Sequence, residues 1–259
     1  MMEVPSWPLA AVVGALAGLL SGSLVAVLVT QAQRARVLTL PGRCPHCAAR
    51  LRLTDLVPLA QRHCRACGTD HGSWQRALEL TTAALFAVMG ARFSLSPLLP
   101  AVWYLTALAV ALAAIDIRHH RLPDRLILPS YPLALLLLGA AALALPGSGG
   151  HLVRALAGMA AGAGFYLLLA LIQPAGIGWG DVKLSGLLGL YLGWFGVTAL
   201  VTGVAGAFLL AALTGLGLLA AGRATRKTHL PLGPFMLAAT LAVIVAAGEW
   251  PPLASLATS

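Results

Sequence analysis

Residues 99–116 read LPAVWYLTALAVALAAID, an uncharged apolar run closed by a single carboxylate. A run of this length is about what one helical crossing of a bilayer needs, roughly 20 residues. Its last residue is the anomaly. Asp116 stands at the C-terminal end of the helix that the run predicts, where a negative charge opposes the helix dipole and apolar neighbours disfavour ionisation. An ionisable group so placed in a membrane segment is a functional candidate.

Similar apolar runs lie at about 8–30, 75–97, 125–146, 152–173, 182–197, 198–222 and 232–249, so eight helices are expected. Only Gly193-Trp194-Phe195-Gly196 separates the sixth from the seventh. Of the 259 residues, 59% are hydrophobic and 10% charged, which excludes an ordinary soluble domain. The 28 glycines fall largely inside the apolar runs, as where membrane helices pack through small residues. The fold class expected is an all-α polytopic membrane protein of about eight transmembrane helices.

The net charge of +9 would point to nucleic acid in a soluble chain. Here its distribution carries the information, because Lys and Arg mark the cytoplasmic side of a membrane protein. With the N-terminus outside, the inside loops are about 31–74, 117–124, 174–181 and 223–231. All but two of the 17 basic residues then lie in or beside those loops, leaving Arg92 and Arg154 outside. Both termini are expected outside, the lipid bilayer is the partner, and no nucleic acid is expected. The first run, preceded by Glu3 and followed by arginines, reads as a retained helix rather than a secretory signal. The chain therefore divides into a first helix (1–30), a cytoplasmic insertion (31–74) and a membrane core of about seven helices (75–259).

The insertion holds all four cysteines. Cys44-Pro45-His46-Cys47 and Cys64-Arg65-Ala66-Cys67 are two CxxC knuckles, which together supply a tetrahedral four-thiolate shell for structural zinc. Disulfides are rare in the reducing cytoplasm. Redox chemistry is the other use of such pairs, and His46 and His63 are adjacent ligand alternatives. A module this small has little core, so metal would supply much of its stability.

Among the other acids, Asp181 opens the sixth run after Gly176-Ile177-Gly178-Trp179-Gly180. It could serve as a helix cap, a favourable place for a carboxylate. The glycines before it, Gly178 and Gly180 above all, strip side chains from the backbone and let an extended peptide approach. Asp116 and Asp181 both sit at helix ends on the same side. Two carboxyls brought together share one proton near neutral pH. The ionised member then takes a proton from water while the protonated one donates to a scissile carbonyl. Asp124, after Pro123, reads as a structural cap of the fourth helix. His119 and His120 read as interfacial, Lys183 as reaching lipid phosphate, and Trp179 and Trp194 as interface anchors.

These residues resemble the type IV prepilin peptidases, membrane aspartic proteases with a Gly-x-Gly-Asp signature. Gly18-Leu19-Leu20-Ser21-Gly22-Ser23 resembles the family's first-helix motif, and the paired knuckles around Asp55-Leu56-Val57-Pro58-Leu59 its zinc module. Asp116 with Leu122-Pro123-Asp124 resembles the first catalytic motif, and Gly178-Trp179-Gly180-Asp181-Val182-Lys183 the second. Leu230-Pro231-Leu232-Gly233-Pro234-Phe235 resembles the segment opening the last helix. The resemblance implies Asp116 and Asp181 as the catalytic pair. It implies prepilin or pseudopilin precursors as substrates, cut after a short basic leader at the cytoplasmic face of the bacterial inner membrane. In many members the new N-terminus is then methylated from S-adenosylmethionine. Here the Asn and Arg-x-Pro common after the first motif are replaced by Ala26 and Gln31-Ala32-Gln33, and the segment after the last cysteine reads Trp74-Gln75-Arg76-Ala77-Leu78-Glu79. No cofactor-binding residue is assigned. Two rivals compete: a proton- or cation-coupled transporter using Asp116 and Asp181 at a broken helix, and a non-catalytic membrane scaffold carrying the zinc module.

Overall fold

A computed structural model describes residues 6–32, 67–68, 72–145, 147–173, 177–223 and 230–247. Among the described residues there are eight helices and no strand: α1 (Ser6–Ala32), α2 (Gly72–Phe93), α3 (Leu99–His119), α4 (Asp124–Ala144), α5 (Gly149–Ile172), α6 (Trp179–Phe195), α7 (Val197–Ala220) and α8 (Gly233–Ala247). Each apolar run of the sequence has become one helix. Five of them, α1, α3, α4, α5 and α7, are long and apolar enough to cross a membrane. The expected eight crossings are thus eight helices, of which five have both the length and the hydropathy of a span. At 17 and 15 residues, α6 and α8 are about 26 and 23 Å long, short of a hydrocarbon core of roughly 30 Å. The polar and charged residues of α2 (Gln75, Arg76, Glu79, Thr81, Thr82 and Arg92) lower its hydropathy. The boundary between α6 and α7 is Gly196, whose φ of +118° is open to glycine and costly for other residues.

The helices form two compact units. One holds α1, α2 and α3 as far as Ile115; the other begins at Asp116, in the last turn of α3, and contains α4 to α8. Residues 31–74, read as the zinc module, lie outside the described residues apart from the end of α1, Cys67, Gly68 and the start of α2. Cys44, Cys47, Cys64, His46 and His63 are among those outside; Cys67 is exposed.

In the first unit α1 and α2 meet backbone to backbone. A Cβ on Gly18 would lie 2.6 Å from Ala83 Cα, and one on Gly22 would lie 2.7 Å from Glu79 Cα. Gly14, Gly18 and Gly22 recur every four residues and so share one face, the small-residue spacing that lets membrane helices close up. Trp103 of α3 stacks on Phe86 at 5.5 Å and donates its indole N–H to the Phe86 carbonyl at 3.1 Å.

The second unit is built around α6. From Val182 to Trp194 every residue but Lys183 is buried, so this short helix is wrapped by protein on all sides. It meets α5 along a glycine seam, where Gly158 and Gly189 oppose each other and Gly193 faces the Arg154 carbonyl. From α4, the Tyr131 hydroxyl donates to the Lys183 carbonyl at 2.6 Å and lies against Gly186. By contrast α4, α5 and α7 turn Leu136, Leu168, Leu209 and Leu213 outward, the apolar exterior of a helix facing lipid tails. Trp194, read as an interface anchor, is instead 3% exposed and packs against His151 at 5.3 Å. Trp179 is 66% exposed at the head of α6, where an anchor belongs.

Candidate active site

The second unit gathers three helix ends: the C-terminus of α3 and the N-termini of α6 and α8. Asp116 lies in the last turn of α3 and is 5% exposed. Its own helix dipole works against its charge, but a second helix answers it. The backbone of Gly233, first residue of α8, lies against the carboxylate and donates a hydrogen bond to it. A Cβ on Gly233 would sit 2.6 Å from Asp116 Oδ2. An acid that looks misplaced at one helix end is therefore held at the start of another, where unpaired N–H groups and the positive end of the dipole face it.

Asp181 occupies the first turn of α6. The helix cap is Gly178, and Asp181 is its third helical residue; its Oδ2 accepts a hydrogen bond from the Gly178 N–H at 3.3 Å. The capping reading of Asp181 and its place in a site are thus compatible. The carboxylate settles the helix end with one oxygen and leaves the other without a backbone donor from that turn.

The two acids lie within electrostatic reach of each other. The charge of Asp116 bears on the Asp181 carboxyl, and one side chain, Leu122, spans the ground between them. Leu122 Cβ lies 2.8 Å from where a Cβ of Gly180 would be, and its Cδ1 lies 3.5 Å from the corresponding point on Gly233, beside Asp116. Both glycines, from different helices, are thus closed around one leucine of the α3–α4 loop, and neither position has room for a side chain. Gly178, with no such neighbour, is the more open of the pair singled out in the sequence.

Other expectations are revised. Asp124 does not cap α4, whose cap residue is Pro123; its carboxylate pairs with Lys183 Nζ at 2.7 Å. Lys183 is thereby engaged with protein rather than with lipid phosphate, and the pair ties the starts of α4 and α6 together. His119 and His120 are both exposed, but His120 has its charge within reach of Asp116 and a left-handed φ of +48° that ends α3. Leu122, Gly233 and Tyr131 carried no signal for this site beyond the motifs that contain the first two, because only the register between helices brings them in. In the first unit Ser23 donates to Glu79 Oε1 at 3.0 Å, with Gln75 Nε2 on the same oxygen at 3.1 Å. The first-helix motif and the acid after the last cysteine therefore meet inside α1–α2, with Glu79 1% exposed. Among the described residues no cluster of metal-ligating side chains occurs.

Comparison with known proteins gives the chain a family. Residues 103–248 match the type IV leader peptidase family, and residues 16–93 match the bacterial N-terminal domain of the same peptidases. The chain belongs to the type IV leader peptidase family. The two matches divide the chain near the boundary of the units, with residues 103–115 of α3 in the peptidase match and in the first unit. Family members similar to it include the prepilin leader peptidase/N-methyltransferase of Bacillus subtilis, 32% identical over 76% of this chain and 78% of that protein. The protein of the same name from Burkholderia pseudomallei is 35% identical over 78% of this chain and 65% of its own length. That from Dichelobacter nodosus is 32% identical over 79% and 70%. No solved structure matches the chain. As a family member with five membrane-capable helices, it is a bacterial membrane protein.

Proposed function

We propose that this chain is an aspartic endopeptidase that removes the leader of prepilin or pseudopilin precursors, with Asp116 and Asp181 as the catalytic pair. The observation that carries the reading is the convergence of two acids from helix ends 65 positions apart around a floor of glycine backbone and one leucine. A peptide bond is hydrolysed there without metal and without a covalent intermediate. One carboxyl is ionised and draws a proton from water as the oxygen attacks; the other, protonated, gives its proton to the carbonyl oxygen. The pair then returns a proton to the leaving amine. Gly178, open where Gly180 is closed by Leu122, admits an extended chain beside Asp181, and the leader's cleavage point lies ahead of an apolar helix that remains in the bilayer. Cleavage is assigned to the cytoplasmic face by the distribution of Lys and Arg.

The names of the relatives support a second step, N-methylation of the new terminus with S-adenosylmethionine as donor. The four cysteines, Cys44, Cys47, Cys64 and Cys67, are assigned to structural zinc. A transporter reading loses ground because its acids belong near the membrane midplane, whereas these stand at helix ends.

Purified protein in detergent is incubated with a prepilin and the product is sized by mass spectrometry. A shortened product from wild type, absent with both Asp116→Asn and Asp181→Asn, is expected. Cleavage that persists in either variant removes that residue from the pair. With methyl donor added, the product gains the mass of one methyl group; an unmodified terminus argues against the second step.

A further inference from the structure

The seam between α5 and α6 fixes an antiparallel register. Gly193 faces the Arg154 carbonyl, Gly189 opposes Gly158, and Ser185 Oγ donates to the Gly162 carbonyl at 3.2 Å. Each rung is four residues from the last on both helices, so 154/193, 158/189 and 162/185 continue to 166/181. By that register, position 166 stands level with Asp181.

Tyr166 is 1% exposed, and its hydroxyl has no hydrogen-bond partner among the described residues. The ring is well held. It stacks on Phe208 of α7 at 5.7 Å and meets Phe165 edge-on at 5.6 Å. Phenylalanine would make those contacts equally well and would avoid the cost of desolvating a hydroxyl without a partner. The hydroxyl therefore contributes nothing to packing. The charge of Asp181 already reaches the phenol. Among the described residues Gly178 is the hydrogen-bond donor to Asp181, through Oδ2, so Oδ1 can take a second. Catalytic hydrogen bonds are often long in an unliganded enzyme and tighten only when substrate is bound.

We propose that Tyr166 is a positioning residue of the peptidase, whose hydroxyl donates to the Asp181 carboxylate in the substrate complex and holds it in line with the attacking water. The inference rests on the reading of Asp116 and Asp181 as the catalytic pair. The neighbouring titratable groups are Asp116 and His120 at the end of α3, Tyr131 and Asp124 on α4 and Lys183 on α6, the last two paired with each other. Beside these, Tyr166 brings a buried donor, unpartnered among the described residues, level with Asp181.

The experiment measures kcat, KM, the pH–rate profile and thermal unfolding of full-length Tyr166→Phe in detergent, beside Asp181→Asn. Expected are a kcat about tenfold lower with KM within about twofold, and unfolding no earlier than wild type, since an unsatisfied hydroxyl has been removed. The acid limb of the profile moves to higher pH by about half a unit or more, because a donor that favoured the ionised carboxylate is gone. Fluorotyrosine at 166, a stronger donor in the same volume, moves that limb to lower pH and decides the matter even if the phenylalanine variant folds poorly. An unshifted limb in both substitutions, whatever the rate, overturns the proposal while leaving the catalytic pair standing if Asp181→Asn is inactive. Cleavage by Asp181→Asn would remove the pair, and this role with it.

Discussion

Asp116 shows how a single residue's energetics depend on an element far away in sequence. Judged by α3 alone it is an acid at the wrong end of a helix, next to apolar residues. The start of α8 supplies what α3 withholds, a backbone donor and the positive end of a dipole, at a contact so close that only glycine fits. Gly233→Ala is therefore expected to abolish most cleavage, by about tenfold or more, because the new methyl group occupies the place of Oδ2 and the short aspartate has little freedom to yield. The fold should survive, as judged by an unfolding midpoint near wild type; full activity in a folded Gly233→Ala would mean that Asp116 does not work from this position. The two acids themselves were legible in the sequence, since a carboxylate closing a membrane run and another following a glycine-rich loop are both conspicuous. Gly233, Leu122 and Tyr166 were not legible as site residues. Nothing local marks a glycine that faces another helix's acid, or a tyrosine that stands level with one, until the register is known.

Among the elements, α6 carries the argument. Its residues show no continuous polar face, and from Val182 to Trp194 all but Lys183 are buried, so it is enclosed by protein rather than by lipid. Its position is set by backbone contact with α5, where glycines on both helices allow an approach that a methyl group would block. Gly189→Ala places a Cβ against the Gly158 carbonyl, and the helices must part by a fraction of an ångström or more. A loss of about 1–3 kcal/mol is expected, read as a lower thermal midpoint in detergent. Gly164→Ala, on the same helix α5 but with open space at its Cβ, serves as the control and should unfold like wild type or slightly later. Equal midpoints for the two would show that the seam does not support the fold. Apolar runs and glycine punctuation made the eight helices legible almost to their ends. Spanning length was not legible in the same way, because hydropathy does not distinguish a helix buried in protein from one facing lipid: α6 and α8 have the apolar character of spans without the length.

For the whole molecule, the two family matches and the two compact units divide the chain within α3 or just before it: α1 and α2 fall in the first of each, α4 to α8 in the second, and residues 103–115 of α3 belong to the first unit but to the peptidase match. The four cysteines belong to the first unit. Because α1 and α2 pack antiparallel, the intervening chain leaves and re-enters at the same end of the pair, and roughly forty residues are too few to bury a core that stands without help. The four-thiolate zinc proposed for Cys44, Cys47, Cys64 and Cys67 would supply that stability. Metal analysis of the purified protein should find one zinc per chain, and substitution of Cys44 and Cys47 by serine should remove it. Proteolysis should then cut between residues 33 and 71 first, while cleavage of a prepilin falls less than it does in Asp116→Asn, since Asp116 and Asp181 both lie in the other unit. Protein with intact, reduced cysteines and no bound metal would contradict the assignment; full loss of peptidase activity on removing zinc would show that the insertion takes part in presenting the substrate as well as in holding its own fold.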